Sequence, residues 1–493
     1  MQYDCDVLVI GSGAGGGVLA YACAKAGKSV LLLERGSPSF VANEQDTLIG
    51  KNPYDDRTIH VNGADRRVYM GGVLGGSTAL FGGALLRPSH ADFHPGRSYG
   101  ERIPRHTWDW PIDYDDLARH YDHAERLFGV AGDRDEDYRP IEKPAAAYPH
   151  EPLPLHPVNV KLMASSRSDG LRPFRLPLAI DPQRCLRCAA CAGYVCPTGA
   201  RGSTAQLLQD AQARGWSLAV RTGVEVEKIL LQRREADGVE VRDRASGERQ
   251  VLRARRYVLA AGAIGSAHLV LRSGAAEPLA GRHYMYHLAP LAVGVFASPH
   301  GAEETFVKQV GFADYYFGDK NYGHKLGVVQ SLPVPGPLML ARMAPYVPGM
   351  ILRFLRRRML PIMGIVEDLP NPENRVTVGP DGGPRLQHRF GAYDLERGKH
   401  LGTLMARILK RAGALFCVSK ASPSVEHVAH QCGTLRFGND PAHSVLDRDC
   451  RMHRHPNVFI VDGSFFPTSL GVGPALTISA NALRVADVVA KEV

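Results

Sequence analysis

Residues Asp6-Val7-Leu8-Val9-Ile10-Gly11-Ser12-Gly13-Ala14-Gly15-Gly16 limit the possible folds more than any other stretch of this chain. A short apolar run that passes at once into a glycine-rich turn and a helix reads as the central strand of a parallel sheet. Gly11 permits the tight turn, Gly13 lets the backbone approach a pyrophosphate, and Gly16 lets the helix pack close to the strand. The helix opens at Ala14 and Gly15, where free N–H groups and a positive dipole end suit phosphate. A second strand, Ser29 to Leu33, ends in Glu34, 18 residues past Gly16 and suited to grip a ribose 2′-OH, with Arg35 beside it. Strand, turn, helix, second strand and terminal acid fall in order, so the chain is expected to bind a dinucleotide.

At 493 residues the chain exceeds what one hydrophobic core serves, so two domains are expected. A hydrophobic fraction of 44% with 22% charged residues excludes a disordered chain. The net charge of +9 raises the question of nucleic acid. The basic residues are scattered, however, no helix-turn-helix, zinc-finger or RNA-binding signature accompanies them, and nucleic acid is excluded as a partner. Arg253-Ala254-Arg255-Arg256 reads as a solvated strand end. A positive field suits an anionic cofactor or an anionic membrane surface. The start, Met1-Gln2-Tyr3-Asp4, has neither a basic nor an apolar leader region, and apolar runs such as Leu288 to Ala297 are too short to span a bilayer. A cytoplasmic location is therefore expected. Residues 338–360 mix Leu340, Met343, Met350, Ile351, Leu352, Phe354 and Leu355 with Arg353, Arg356, Arg357 and Arg358, broken by Pro345, Pro348 and Gly349. Such a segment either makes peripheral membrane contact or caps a substrate pocket.

No repeat or low-complexity linker divides the chain. Strand Tyr257 to Ala261, followed by Gly262 and a helix through Leu271, reads as a return to the first sheet. Arg221 to Asp243, which includes Val226, alternates apolar and polar residues as a small antiparallel layer does. From Met285 to about Ala421 the pattern changes to aromatic-bearing strands and longer loops. The expected fold class is mixed α/β, with a Rossmann-like dinucleotide-binding domain interleaved with a substrate-binding or cap domain built on an antiparallel sheet. The first takes residues 1–90, 200–284 and 425–493; the second takes 91–199 and 285–424.

Near the C-terminus, His430-Gln431-Cys432-Gly433-Thr434 is followed by Val461-Asp462-Gly463-Ser464-Phe465-Phe466-Pro467. Together with Gly72-Val73-Leu74-Gly75-Gly76-Ser77-Thr78, Trp110-Pro111-Ile112-Asp113-Tyr114, Ala260-Ala261-Gly262-Ala263-Ile264-Gly265-Ser266, Glu367-Asp368-Leu369-Pro370 and Glu373-Asn374-Arg375-Val376, these pieces resemble the glucose-methanol-choline oxidoreductases over nearly the whole chain, in that family's order. The resemblance implies a two-domain enzyme that removes hydride from an alcohol carbon onto FAD. It implies cofactor contacts at Gly75, Gly76, Ser77, Ala261, Gly262, Asp462, Gly463, Pro474, Ala475 and Leu476. Some relatives bond the flavin to a histidine of the loop 71–83. Here the corresponding stretch is Ala79-Leu80-Phe81, so FAD is expected to be held non-covalently.

Hydride leaves a C–OH carbon most easily when the hydroxyl proton leaves too, and a neutral imidazole is a natural base. His430 holds the position of the family's catalytic histidine. His427, His443, His453 and His455 lack a comparable context and read as surface or supporting groups. The loop Leu470 to Thr477 resembles the segment that supplies a second polar side chain, Asn or His, beside the substrate hydroxyl, and the residue there is Gly473. This departure keeps a redox-neutral lyase or epimerase, and a flavin-binding subunit with little activity of its own, as alternatives. The expected substrate is a small-molecule alcohol: a sugar, glycoside, cyclitol or related polyol. Tyr284, Tyr286, Tyr315, Tyr316 and Phe317 offer rings on which a carbohydrate could stack. No signal distinguishes oxygen, a quinone or a carrier protein as electron acceptor.

Nine cysteines without a leader argue for reduced thiols. Cys185, Cys188, Cys191 and Cys196 approach an iron–sulfur spacing, with a last gap one residue longer than the ferredoxin pattern. A cluster, zinc, disulfides and free thiols are the alternatives, and no metal is assigned.

Overall fold

The computed structural model describes residues 3–38, 44–45, 53–68, 70–275, 277–421 and 430–493. Strand Cys5–Ile10 is central in a five-stranded parallel sheet ordered Val458–Ile460, Ala254–Leu259, Cys5–Ile10, Val30–Glu34, Leu218–Thr222. Val7, Leu8 and Val9 are fully buried, as a parallel strand covered on both faces requires. Helix Ala14–Lys25 packs against Thr204–Ala213 and the C-terminal helix Ala475–Val489. The layer is thus assembled from three distant stretches of the chain. The alternating stretch forms a three-stranded antiparallel sheet of Val224–Gln232, Glu235–Asp243 and Arg249–Leu252.

A six-stranded antiparallel sheet runs Phe416–Lys420, Leu291–Val295, Met359–Ile365, Val328–Ser331, Val310–Phe312, Phe174–Arg175. Helix Ala392–Arg411 lies on it through Leu401, Leu404, Met405, Ile408 and Leu409, which enter a second hydrophobic core. The two parts also interlock. Helix Tyr114–Leu127 packs on the C-terminal helix, with Tyr121 and Thr477 hydroxyls 3.0 Å apart, and strands Arg375–Val378 and Pro384–Gln387 extend the hairpin Thr58–Val61/Ala64–Arg67.

Aromatic stacking is corrected by the packing. Tyr284, Tyr286 and Tyr316 are buried core residues, and Phe317 alone of the five rings is well exposed. The Tyr316 hydroxyl instead donates to Asp92 Oδ2 (2.6 Å) and accepts from the Gly471 N–H (3.2 Å). Asp92 pairs with Lys325, whose Nζ also lies 2.9 Å from Glu367 Oε2. Arg397 donates to the Glu367 carbonyl (2.6 Å) and to Asp394 Oδ1 (2.5 Å). This buried ionic cluster fixes the loop that carries Leu470 to Gly473. Lys325→Met leaves two buried carboxylates without their cation, and we expect a loss of about 3–5 kcal/mol. The midpoint of urea unfolding should fall accordingly; an unchanged midpoint would show that the cluster does not hold the fold.

Candidate active site

The turn after the first strand is shaped for a phosphate group. A Cβ on Gly15 would collide with the Val461 carbonyl, so this glycine lets the C-terminal block close on the N-terminal turn. Gly13, by contrast, faces open space, with nothing within 4 Å of a Cβ built there. Helix Ala14–Lys25 begins behind it with no side-chain cap, and so does Ala475–Val489 behind Pro474, with Leu476 in its first turn. Two uncapped helix starts leave first-turn N–H groups available to an anion. Gly76 closes over Gly13, with Gly75 and Ser77 beside it: the Gly75 N–H donates to Ser12 Oγ (2.8 Å), and the Gly71 N–H to Ser77 Oγ (3.2 Å). The donor set and the open cradle fit the pyrophosphate of FAD.

The charged residues assigned to the cofactor have protein partners of their own. Glu34 Oε2 accepts from the Ser12 N–H (3.0 Å) and hydroxyl (2.5 Å), and Oε1 from the Gly36 N–H (2.7 Å). A carboxylate offers about four acceptor sites, so one remains for a ribose hydroxyl. The Arg35 guanidinium is engaged by Glu225 (3.1 Å), Asp55 (3.2 Å) and Asp56 (2.7 Å), and its backbone carbonyl accepts from Arg244 (3.2 Å). Asp462 accepts from the N–H groups of Gly262 (2.9 Å) and Ser464 (2.8 Å) and from the Ser266 and Ser464 hydroxyls. It pins Ala261, Gly262 and Gly463 together across two strand ends. Val226 is half-buried on its strand beside the sheet edge.

His430 adopts φ 67°, in the left-handed region, which costs about 1–2 kcal/mol for a residue with a Cβ. Its Nδ1 lies 2.9 Å from Nδ1 of His287, and His287 Nε2 lies 2.8 Å from the Leu470 carbonyl oxygen. A carbonyl only accepts, so His287 carries its proton on Nε2 and presents a bare Nδ1. His430 must then donate from Nδ1, and its Nε2 is left with a free lone pair. That atom points toward Gly473: a Cβ built there would sit 3.5 Å from Nε2. Burial, then the neighbouring His287 and Lys308, hold the His430 imidazole well below the ordinary value of 6.5. Burial likewise lowers His287 to about 4.

Lys308 is the residue that sequence reasoning missed. It is 7% exposed, its Nζ rests against the backbone of Gly82, 2.6 Å from where a Cβ would stand, and no carboxylate pairs with it among the described residues. Burial lowers its ammonium to about 8, with Cys191 and Arg201 as its other electrostatic neighbours. His287 was missed as well, although a histidine inside the apolar run Tyr284 to Leu288 was a usable signal.

All nine cysteines are free thiols, and among the described residues no group of three His, Cys, Asp or Glu side chains is placed to hold a metal ion. The loop of Cys185, Cys188, Cys191 and Cys196 is organised by Arg201, which donates to the carbonyls of Cys191, Ala79 and Tyr194. Arg201 thereby ties this loop to the segment 71–83. His427 lies outside the described residues. His443 is exposed and His455 buried, both apart from His430 in their contacts; His453 bonds Ser444 (3.0 Å).

The family description GMC oxidoreductase matches residues 5–289 and 370–482 of the chain. The chain is 33% identical to 6'''-hydroxyparomomycin C oxidase of Streptomyces lividus and 32% identical to paromamine 6'-oxidase of Streptomyces fradiae, each match covering 98% of this chain and 91% of the relative. Its fold is similar to that of pyridoxine 4-oxidase from Mesorbium loti, with a TM-score of 0.68 at 19% identity over 98% of this chain and 99% of that one.

Proposed function

The chain belongs to the GMC oxidoreductase family, and we propose that within it His430 is the base that takes the proton of a substrate hydroxyl. The protein is an FAD-dependent oxidoreductase of alcohols. When bound, FAD supplies the acceptor for the hydride of the alcohol carbon. The direction of the His430–His287 bond carries the assignment, because it leaves Nε2 of His430 as a bare acceptor over the space at Gly473. His287 holds the tautomer and Leu470 holds His287, so the base is oriented before substrate arrives.

Lys308 fills the role that Gly473 leaves open. Its ammonium donates a hydrogen bond to the substrate oxygen, so negative charge developing there is stabilised while Nε2 removes the proton. The same cation limits the substrate. An ammonium group of the substrate about 4 Å away would be repelled by about 4 kcal/mol at an effective dielectric of about 20. We therefore assign the substrate as a sugar, cyclitol or aminoglycoside whose reacting hydroxyl has no amine close to it. Anaerobic addition of such alcohols to the holoenzyme should bleach the flavin spectrum, with deoxyamino neighbours slowing the bleaching. Flavin that dithionite reduces but no alcohol of these classes bleaches would overturn the reading.

Residues 338–360 form two short helices, Pro337–Met343 and Gly349–Arg356, and contain no acidic residue. Met343, Tyr346, Met350, Ile351 and Phe354 are exposed there, with Tyr346 97% accessible, among Arg342, Arg353, Arg356, Arg357 and Arg358. Apolar side chains projecting from a basic patch match an anionic lipid surface. No helix among the described residues is long and apolar enough to cross a membrane. The reading is of a cytoplasmic protein, its thiols reduced, that touches a membrane peripherally. Holoenzyme should sediment with phosphatidylglycerol-containing vesicles and stay free of pure phosphatidylcholine ones. Met350→Asp with Phe354→Asp should abolish the association; equal sedimentation with the native protein would refute it.

A further inference from the structure

Arg436 is a buried cation without a counter-ion. It is 5% exposed, and its position is fixed by the flanking N–H groups of Leu435 and Phe437, which donate to the carbonyls of Ser464 (2.9 Å) and Phe465 (3.0 Å). The contacts of its guanidinium are both to one imidazole nitrogen: Nη1 and Nη2 each lie 3.5 Å from His106 Nε2. Among the described residues no carboxylate pairs with it, and burial alone pulls it down to about 10. Buried charges in folded proteins are ordinarily paired, and arginine most often with a carboxylate or phosphate that fits its fork.

The surroundings of Arg436 are rich in imidazoles and open to a cleft. His106 stacks on His443, ring centres 4.6 Å apart and 3° from parallel. His283, on the far side, is 5% exposed, and its Nδ1 has no hydrogen-bond partner. Burial and Arg436 together depress both His106, to about 4, and His283, as two imidazoles beside an uncompensated guanidinium must be. A cleft of about 190 Å³ opens over these groups, lined by Arg436, His106, His443, Thr107, Asn439 and Ser444. Two acids also border it, and both are otherwise engaged. Asp109 pairs with His94 (2.6 Å), and Asp440 accepts from the Ala442 N–H (2.8 Å) and lies 3.9 Å from His443.

We propose that this cleft is a binding site for a small oxyanion, a phosphate or a carboxylate group, held by the Arg436 fork with the stacked His106 and His443 on one wall. An anion there supplies the missing negative charge, gives the guanidinium two acceptors in its own plane, and turns the imidazoles from repelled neighbours into donors. Neither His430 nor the dinucleotide cradle contributes a residue to the cleft, so its occupancy is independent of the reading of the oxidative site.

Calorimetric titration of FAD-loaded full-length protein with inorganic phosphate, sulfate and acetate, at ionic strength held constant with chloride, tests this. Loading with FAD removes the pyrophosphate cradle as a competing site. One saturable site per chain is expected for at least one of the three ions, and Arg436→Gln should weaken it by roughly 10- to 100-fold, the loss of a hydrogen-bonded charge. Phosphate or sulfate above acetate identifies a tetrahedral ligand; the reverse order identifies a carboxylate. If Arg436→Gln does not fold, the exposed His443→Gln serves in its place and should weaken binding severalfold. Unsaturable heats from all three ions with the native protein would overturn the proposal, as would an unchanged affinity in a folded Arg436→Gln protein.

Discussion

His430→Ala lowers the rate of flavin reduction by alcohol on the order of 10²–10⁴-fold, the contribution of a positioned general base, while FAD stays bound. The cradle at Gly13, the uncapped helix starts and Asp462 do not depend on the imidazole, so cofactor content and the oxidised spectrum should match the native protein. His430→Asn is the companion variant. Asparagine tolerates the left-handed backbone at this position and keeps an N–H for His287 Nδ1, yet lacks the basic nitrogen. Both variants should therefore be slow, and the second should be the more stable. The pH profile adds a separate check. Because burial, His287 and Lys308 hold His430 well below 6.5, the base is already neutral at pH 6.5. The native rate should be level from there up to the region near 8 where Lys308 loses its proton, instead of rising through the ordinary imidazole range. Stopped-flow reduction under anaerobic conditions measures this; a native rate in His430→Ala removes His430 from the mechanism.

The parts of this site that were legible in the sequence are those whose geometry is local. A turn whose Gly11, Gly15 and Gly16 leave no room for a Cβ, followed by an uncapped helix, is written in consecutive residues, and the histidine of the C-terminal block is placed by the residues around it. Glu34 was legible as a position and not as a set of partners, since Ser12 and Gly36 reach it only after the strand and turn fold together. His287 is 143 positions from His430, and the pairing of Met285 with Cys432 helps bring the two imidazoles within hydrogen-bonding distance. The tyrosines failed as carbohydrate surfaces because the six-stranded sheet and the ionic cluster bury Tyr316, and core packing buries Tyr284 and Tyr286. The cysteine loop is organised by the Arg201 guanidinium, which donates to the carbonyls of Cys191, Tyr194 and Ala79, and no spacing rule encodes that.

Lysine in a sequence is normally a solvated residue, and nothing in Val307-Lys308-Gln309 says otherwise. Its burial against Gly82 without a carboxylate is a product of tertiary structure, and it makes Lys308→Met the sharpest test of the mechanism. Replacing a buried, unpaired cation with an apolar chain of similar volume removes a desolvation penalty, so thermal stability should be unchanged or higher. Flavin reduction should nevertheless fall roughly 10²–10³-fold, as when a donor to a developing oxyanion is deleted. A lysine that merely supported the fold would give the opposite pattern. The pH dependence of kcat/KM sharpens the distinction. The ammonium is lowered to about 8, so the native value should decline as pH rises through that region and the donor is lost. In Lys308→Met the decline should vanish. The acid limb, set by His430 with His287 and Lys308 as its neighbours, should move to higher pH once the positive charge is gone. Gly473→Asn placed in the Lys308→Met background returns a donor to the space beside His430 Nε2 and should recover part of the lost rate. If Lys308→Met reduces its flavin at the native rate, or loses both stability and activity with an unaltered pH profile, the ammonium has no part in holding the substrate oxygen.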